Sequence, residues 1–201
     1  DDLIRNKYHA MKEHKEYLSQ THSYMALRKA VGWIGILLPF VLALGASLLF
    51  GNRGILKNIS LYYHSGMRDI FVGALCAIAL FLFFYKGYDR RDNIAANLAG
   101  FFALGIALFP TVKEGPYNWQ AVVHFISAGS FFLILALFSL FLFTKSEPQP
   151  SDEKLRRNYI YIICGSIMVV SLSGILIFMA FFARSHPQSG FVFWAETVSL
   201  I

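Results

Sequence analysis

Residues Asn58–Asp69 read NISLYYHSGMRD and run directly into IFVGALCAIALFLFFY, Ile70–Tyr85. A segment rich in hydroxyls, imidazole and charge thus abuts one with no charged residue at all. An apolar run of this length reads as a membrane-crossing helix, which needs about 20 residues. Ionisable groups at such a boundary are costly, so a functional site is the default reading of His64, Arg68 and Asp69.

The same alternation extends through the chain. Apolar spans are expected at Val31–Phe50, Met67–Tyr85, Ile94–Thr111, Trp119–Phe143 and Tyr159–Phe182, with a sixth beginning near Gly190. The twelve residues from there to Ile201 cover only about 18 Å at 1.5 Å per residue, so the sixth span is expected to be truncated, and both chain ends trimmed. Pro39 is compatible with the first span because neighbouring helices can satisfy the carbonyl it frees.

Composition agrees. Of 201 residues 56% are hydrophobic and 15% charged, with 20 Phe and a mean hydropathy of +0.52. Ordinary soluble domains carry roughly 25% charge. The fold class expected is all-α, a polytopic transmembrane bundle of six spans, preceded by an amphipathic N-terminal helix. Residues 1–28 form that cytoplasmic segment, with Ile4, Met11, Leu18 and Met25 at seven-residue intervals among basic residues, and 29–201 the bundle. A soluble helix docked on the protein's own loops fits the same residues, and no signal-peptide pattern is visible in them.

The net charge of +6 is no sign of nucleic-acid binding, because the basic residues belong to short loops rather than to a compact basic module. Thirteen of the 18 Lys and Arg fall in the N-terminal tail, around Lys86–Arg91 and in 145–157; Arg53, Lys57, Arg68, Lys113 and Arg184 fall on the alternate side. The positive-inside rule then puts both termini in the cytoplasm and NISLYYHSGMRD on the non-cytosolic face, as in a bacterial inner membrane. Cys76 and Cys164 lie inside apolar runs at different depths, where a disulfide is not expected. Ala99, Ala103 and Ala107 form a small-residue stripe suited to close helix packing.

Asp69 at the outer end of span two, His124 inside span four and Glu196 inside span six should lie at similar depths below the outer face. Asp69, with Gly73, Cys76 and Ala77 on its helical face, is expected to point into the bundle. His64 and Arg68 would lid such a pocket, Tyr63 would join its ligand-binding residues, and Lys113, Glu114, Tyr117, Arg184 and His186 complete its rim. His64, Asp69 and His124 are a candidate metal set, and zinc is the metal such donors suit, although no HExxH or CxxC enforces it. Ser60 or Ser65 with a histidine and Asp69 would be a nucleophilic set. A proton path is disfavoured by the apolar inner halves of the spans, and the same polar groups could simply fix helix register. Asn58-Ile59-Ser60 is also a glycosylation sequon.

The six-span layout, NIS after the first span and GMRDIFVGALCAIALFLFFYKGY (Gly66–Tyr88) resemble a group of bacterial six-span membrane proteins distantly similar to the Frag/DRAM/Sfk-like families. That resemblance covers the chain from about Val31 and implies the architecture. Ser60, His64 and Asp69 are similar to the opening motif of the CREST membrane hydrolases, which implies zinc between spans. The HxxxH element and seventh span of that family are absent. The function expected is recognition of a small ligand or lipid headgroup by an outward-facing polar pocket, as a sensor or as a subunit bound to another protein. The alternatives are a metal-dependent hydrolase acting on a lipid amide or ester, and a purely structural membrane subunit; whether the protein is an enzyme stays open.

Overall fold

The computed structural model describes residues 2–52, 54–87, 89–146, 148–186 and 189–201, with side-chain surroundings from residue 22 onward. Among the described residues all regular structure is helical: α1 (Asp2–Phe50), a short 3-10 helix (Ile59–His64), α2 (Arg68–Phe84), α3 (Arg90–Leu108), α4 (Trp119–Leu137), α5 (Asp152–Ile177) and α6 (Phe191–Leu200). α4 and α5 each end in one widened π turn, Phe138–Leu142 and Phe178–Phe182.

Helix starts follow capping chemistry. The side chains of Asn58, Asp89, Asn118 and Ser151 accept from the N–H groups of Leu61, Arg91 and Asp92, Ala121 and Lys154, which otherwise lack intrahelical partners. α1 is continuous, with no break at residue 28. The amphipathic face expected of residues 1–21 lies outside the described side chains.

Among the described residues three helical stretches, His22–Phe50, Trp119–Leu142 and Asp152–Phe182, are long and apolar enough to cross a membrane. Their outer surfaces are hydrocarbon: Leu48 is 79% exposed, Phe181 77% and Val170 70%. Apolar surface on this scale, unlike that of a soluble monomer, calls for lipid or a partner to cover it. α2, α3 and α6 have 17, 19 and 10 residues.

Each helix packs on its neighbours in sequence, and α6 returns to α1, so the helices form a closed circuit. The core contains Leu38 and Leu42 from α1, Phe71, Leu75 and Ala79 from α2, Phe131 from α4 and Phe193 from α6. α2 and α3 approach through small residues: Ala96, Ala99, Ala103 and Ala107 are buried, and a Cβ on Gly100 would lie 3.0 Å from the Ala79 carbonyl oxygen.

The two ends of the circuit differ. At one end gather segments 54–67, 109–118, 183–186 and 189–190, with hydrogen bonds from His64 to Thr111 and from Phe193 to Lys57. At the other, Lys145 bridges Asp89 at 2.9 Å and the buried Asp92 at 2.7 Å, and Arg28 stacks over Phe143 at 5.3 Å.

Candidate functional site

Residues 57–64 are drawn down into the first of these ends. The N–H of Phe193, at the start of α6, donates to the Lys57 carbonyl at 3.0 Å. One turn further along α6, Glu196 Oε2 accepts the Ile59 N–H at 2.7 Å. Tyr62 is completely buried, with its ring 6.2 Å from that of Phe193 and its hydroxyl accepting from the Leu56 N–H at 3.2 Å. Burial pushes the Tyr62 hydroxyl pKa up, partly offset by that N–H.

His124 is only 1% exposed. Its Nδ1 lies 2.7 Å from the Phe109 carbonyl oxygen, and its Nε2 2.8 Å from Ser60 Oγ. A carbonyl oxygen only accepts, so Nδ1 carries the proton; in the neutral ring, Nε2 then takes the hydrogen bond donated by Ser60. One imidazole thus ties the end of α3 to the loop before α2.

Beside this junction, between α4, α5 and α6, lies a cavity of about 860 Å³. Ser60, His124 and Glu196 line it at the loop end, together with Lys57, Lys113 and His186. Phe132, Leu133, Leu172, Leu176 and Met179 line it along α4 and the α5 stretch. A largely apolar hollow with a few convergent polar groups, in the range of roughly 300–1,000 Å³, is the usual form of a small-molecule site.

No family model, curated protein or solved structure matches the chain. The site is therefore read from its own residues.

Of the six ligand-binding residues expected from the sequence, His124 and Glu196 line the cavity, while Tyr63, His64, Arg68 and Asp69 do not. His64 is exposed and donates from Nε2 to the Thr111 carbonyl at 2.6 Å, so it fastens two loops together. Arg68 lies over the Tyr63 ring at 4.6 Å and donates to its hydroxyl at 2.8 Å, turned to the phenol rather than to Asp69. Asp69 corrects the expectation that it points inward: it is exposed in the first turn of α2, where a negative charge complements the helix dipole. α2 buries Phe71, Leu75, Ile78, Ala79 and Leu82 instead, and Gly73 is exposed.

The metal trio His64, Asp69 and His124 is likewise not assembled: among the described residues no group of three or more His, Cys, Asp or Glu side chains could hold a metal ion. Both His124 ring nitrogens already have partners. Of the expected rim, Lys113, Tyr117 and His186 line the cavity; Glu114 and Arg184 do not.

The sequence offers Ser60 with an unspecified histidine and Asp69; the structure pairs Ser60 with His124 and leaves Asp69 exposed on α2. Ser60 and His124 are 64 residues apart, and nothing in either local pattern points to the other. The Phe109 carbonyl and Lys57 went unnoticed as parts of the site, the first because backbone groups leave no residue-type signal.

Proposed function

We propose that this chain is a six-span integral membrane protein, with both termini cytoplasmic, whose non-cytosolic cavity binds a small amphiphilic ligand or a lipid headgroup. The observation that carries this reading is the division of one cavity into a polar end, with Lys57, Lys113, Ser60, His124 and Glu196, and an apolar wall from α4 and α5. An amphiphile satisfies both parts at once: its head meets hydrogen-bonding and cationic groups, and its chain meets hydrocarbon. The two lysines favour an acidic or strongly polar head. The uneven placement of Lys and Arg supports the orientation, and the exposed hydrocarbon of the helices supports the lipid surroundings.

Gly129 offers the test. It lines the cavity, and a Cβ built on it meets nothing within 4 Å, so a phenylalanine there starts into open space and takes up cavity volume. Mass spectrometry of the purified chain released from membranes should show retained lipid or another amphiphile in the wild type and at least tenfold less in Gly129→Phe. Equal retention by both would overturn the cavity as the binding site.

A further inference from the structure

We infer that Ser60 and His124 form a nucleophile–base dyad that hydrolyses a carboxylic ester of the amphiphile held in the cavity. The inference rests on the cavity being a binding site and adds chemistry to it.

The geometry has the three parts that serine activation requires: a nucleophile, a base within hydrogen-bond reach, and a third group that orients the base. Ser60 Oγ lies 2.8 Å from His124 Nε2. The Phe109 carbonyl, 2.7 Å from Nδ1, holds the proton on that nitrogen and leaves the Nε2 lone pair facing the hydroxyl. Here a backbone carbonyl takes the place that a carboxylate occupies in a Ser-His-Asp triad. It fixes the same tautomer, and its dipole favours the imidazolium that forms when the proton moves.

Two observations separate this contact from an ordinary loop fastening. Ser60 and His124 both line the cavity, whereas in the other Ser–His contact among the described residues, Ser185 Oγ to His186 Nδ1 at 3.0 Å, the two residues are adjacent and exposed and the serine is not on the lining. The backbone around Ser60 is also held from both sides: Glu196 takes the N–H of Ile59 before it, and Asn58 takes the N–H of Leu61 after it. Glu196 and Asn58 are positioning residues in this scheme, keeping the hydroxyl at the imidazole at little entropic cost during reaction.

The steps balance with water as the only co-reactant. Ser60 Oγ bonds to the ester carbonyl carbon while its proton passes to His124 Nε2. The tetrahedral adduct collapses, the bond to the alcohol oxygen breaks, and that oxygen takes the proton from His124. Water, deprotonated by His124, then attacks the acyl carbon; the bond to Ser60 breaks and Oγ recovers its proton. One ester and one water become one carboxylic acid and one alcohol. Lys57 and Lys113, on the same lining, favour the anionic product headgroup.

The test uses the full chain in lipid nanodiscs and a long-chain alkyl fluorophosphonate, which reports an activated serine by a stable covalent adduct. The adduct should map to Ser60 by peptide mass spectrometry. Ser60→Ala should abolish it, His124→Gln should slow it by at least about a hundredfold, Gly129→Phe should slow it by excluding the probe, and Ser185→Ala should leave it unchanged. If Ser60→Ala does not fold, Ser60→Cys substitutes: rapid alkylation of that thiol by a long-chain iodoacetamide, slowed by His124→Gln, supports the dyad. A folded wild type that retains amphiphile in a Gly129→Phe-sensitive manner yet forms no Ser60 adduct overturns the dyad and leaves the binding reading standing. Loss of both signals overturns both.

Discussion

Glu196 Oε2 and the backbone nitrogen of Ile59 lie 2.7 Å apart, which fastens the last helix to the loop that precedes α2. The bond is long-range in sequence and sits at the polar end of the cavity. Replacing Glu196 with Ala leaves the Ile59 N–H without this acceptor, at a cost of about 1–3 kcal/mol. Glu196→Gln keeps an amide oxygen in the same place and should lose less than half as much. Thermal unfolding of both variants in one detergent checks this; equal losses would mean that the carboxylate acts in some other way.

The opposite end of the bundle makes a pH prediction. Lys145, by its hydrogen bond foremost, and then the N–H of Asp92, hold the Asp89 carboxyl down at about 2 from an ordinary 3.8. The hydrogen bonds of Asp92 and Asp89 in turn raise Lys145 above its ordinary 10.5. A depressed acid stabilises the fold above its unfolded pKa and loses that contribution as pH falls through its folded one. A raised amine does so below its unfolded pKa and loses it as pH rises through its folded one. The melting-temperature difference between wild type and Lys145→Met should therefore hold steady from about pH 5 to 9 and shrink below about 3.8. A difference that is flat down to pH 2 would remove Lys145 as the cause.

Close approach of α2 and α3 depends on Gly100, where an added Cβ would meet the Ala79 carbonyl oxygen at 3.0 Å and the Phe83 ring at 3.1 Å. Gly100→Val should destabilise by about 1–3 kcal/mol through overpacking. Gly129→Ala, in open space inside α4, should cost nothing and stabilise by up to about 1 kcal/mol by the same measurement.

The proposed orientation is checked by labelling single cysteines in intact cells after Cys76 and Cys164, both free thiols, are replaced by Ala. Lys113→Cys should react with a membrane-impermeant maleimide directly, and Ser146→Cys only after lysis. The reverse pattern would invert the proposed topology.

Much of the helical order was legible because apolar runs mark where a helix can be buried. Their ends were not. The span expected from Tyr159 begins at Asp152, because Ser151 caps a charged turn that hydropathy does not register. The helix expected from Ile94 begins at Arg90 for the same reason, under Asp89. Within the site, His124 and Glu196 stood out as ionisable groups inside hydrocarbon. Asp69 departs from its expected position because small residues do not mark the packed face of α2. That face is in fact set by Phe71 and Leu75, and Phe71 lies about 200° around the helix from Asp69. Two positions in sequence were enough to send the carboxylate outward.

The contact of Gly100 with Ala79 sits among alanines that have no rotamers to freeze, so α2 and α3 join with little loss of side-chain freedom. Across the circuit, α4, α5 and α6 pack on one another in sequence and also share the lining of a hollow. Room for side-chain movement lies along α5 and α6 rather than between α2 and α3, so amide exchange is expected to be faster in the former pair than in the latter.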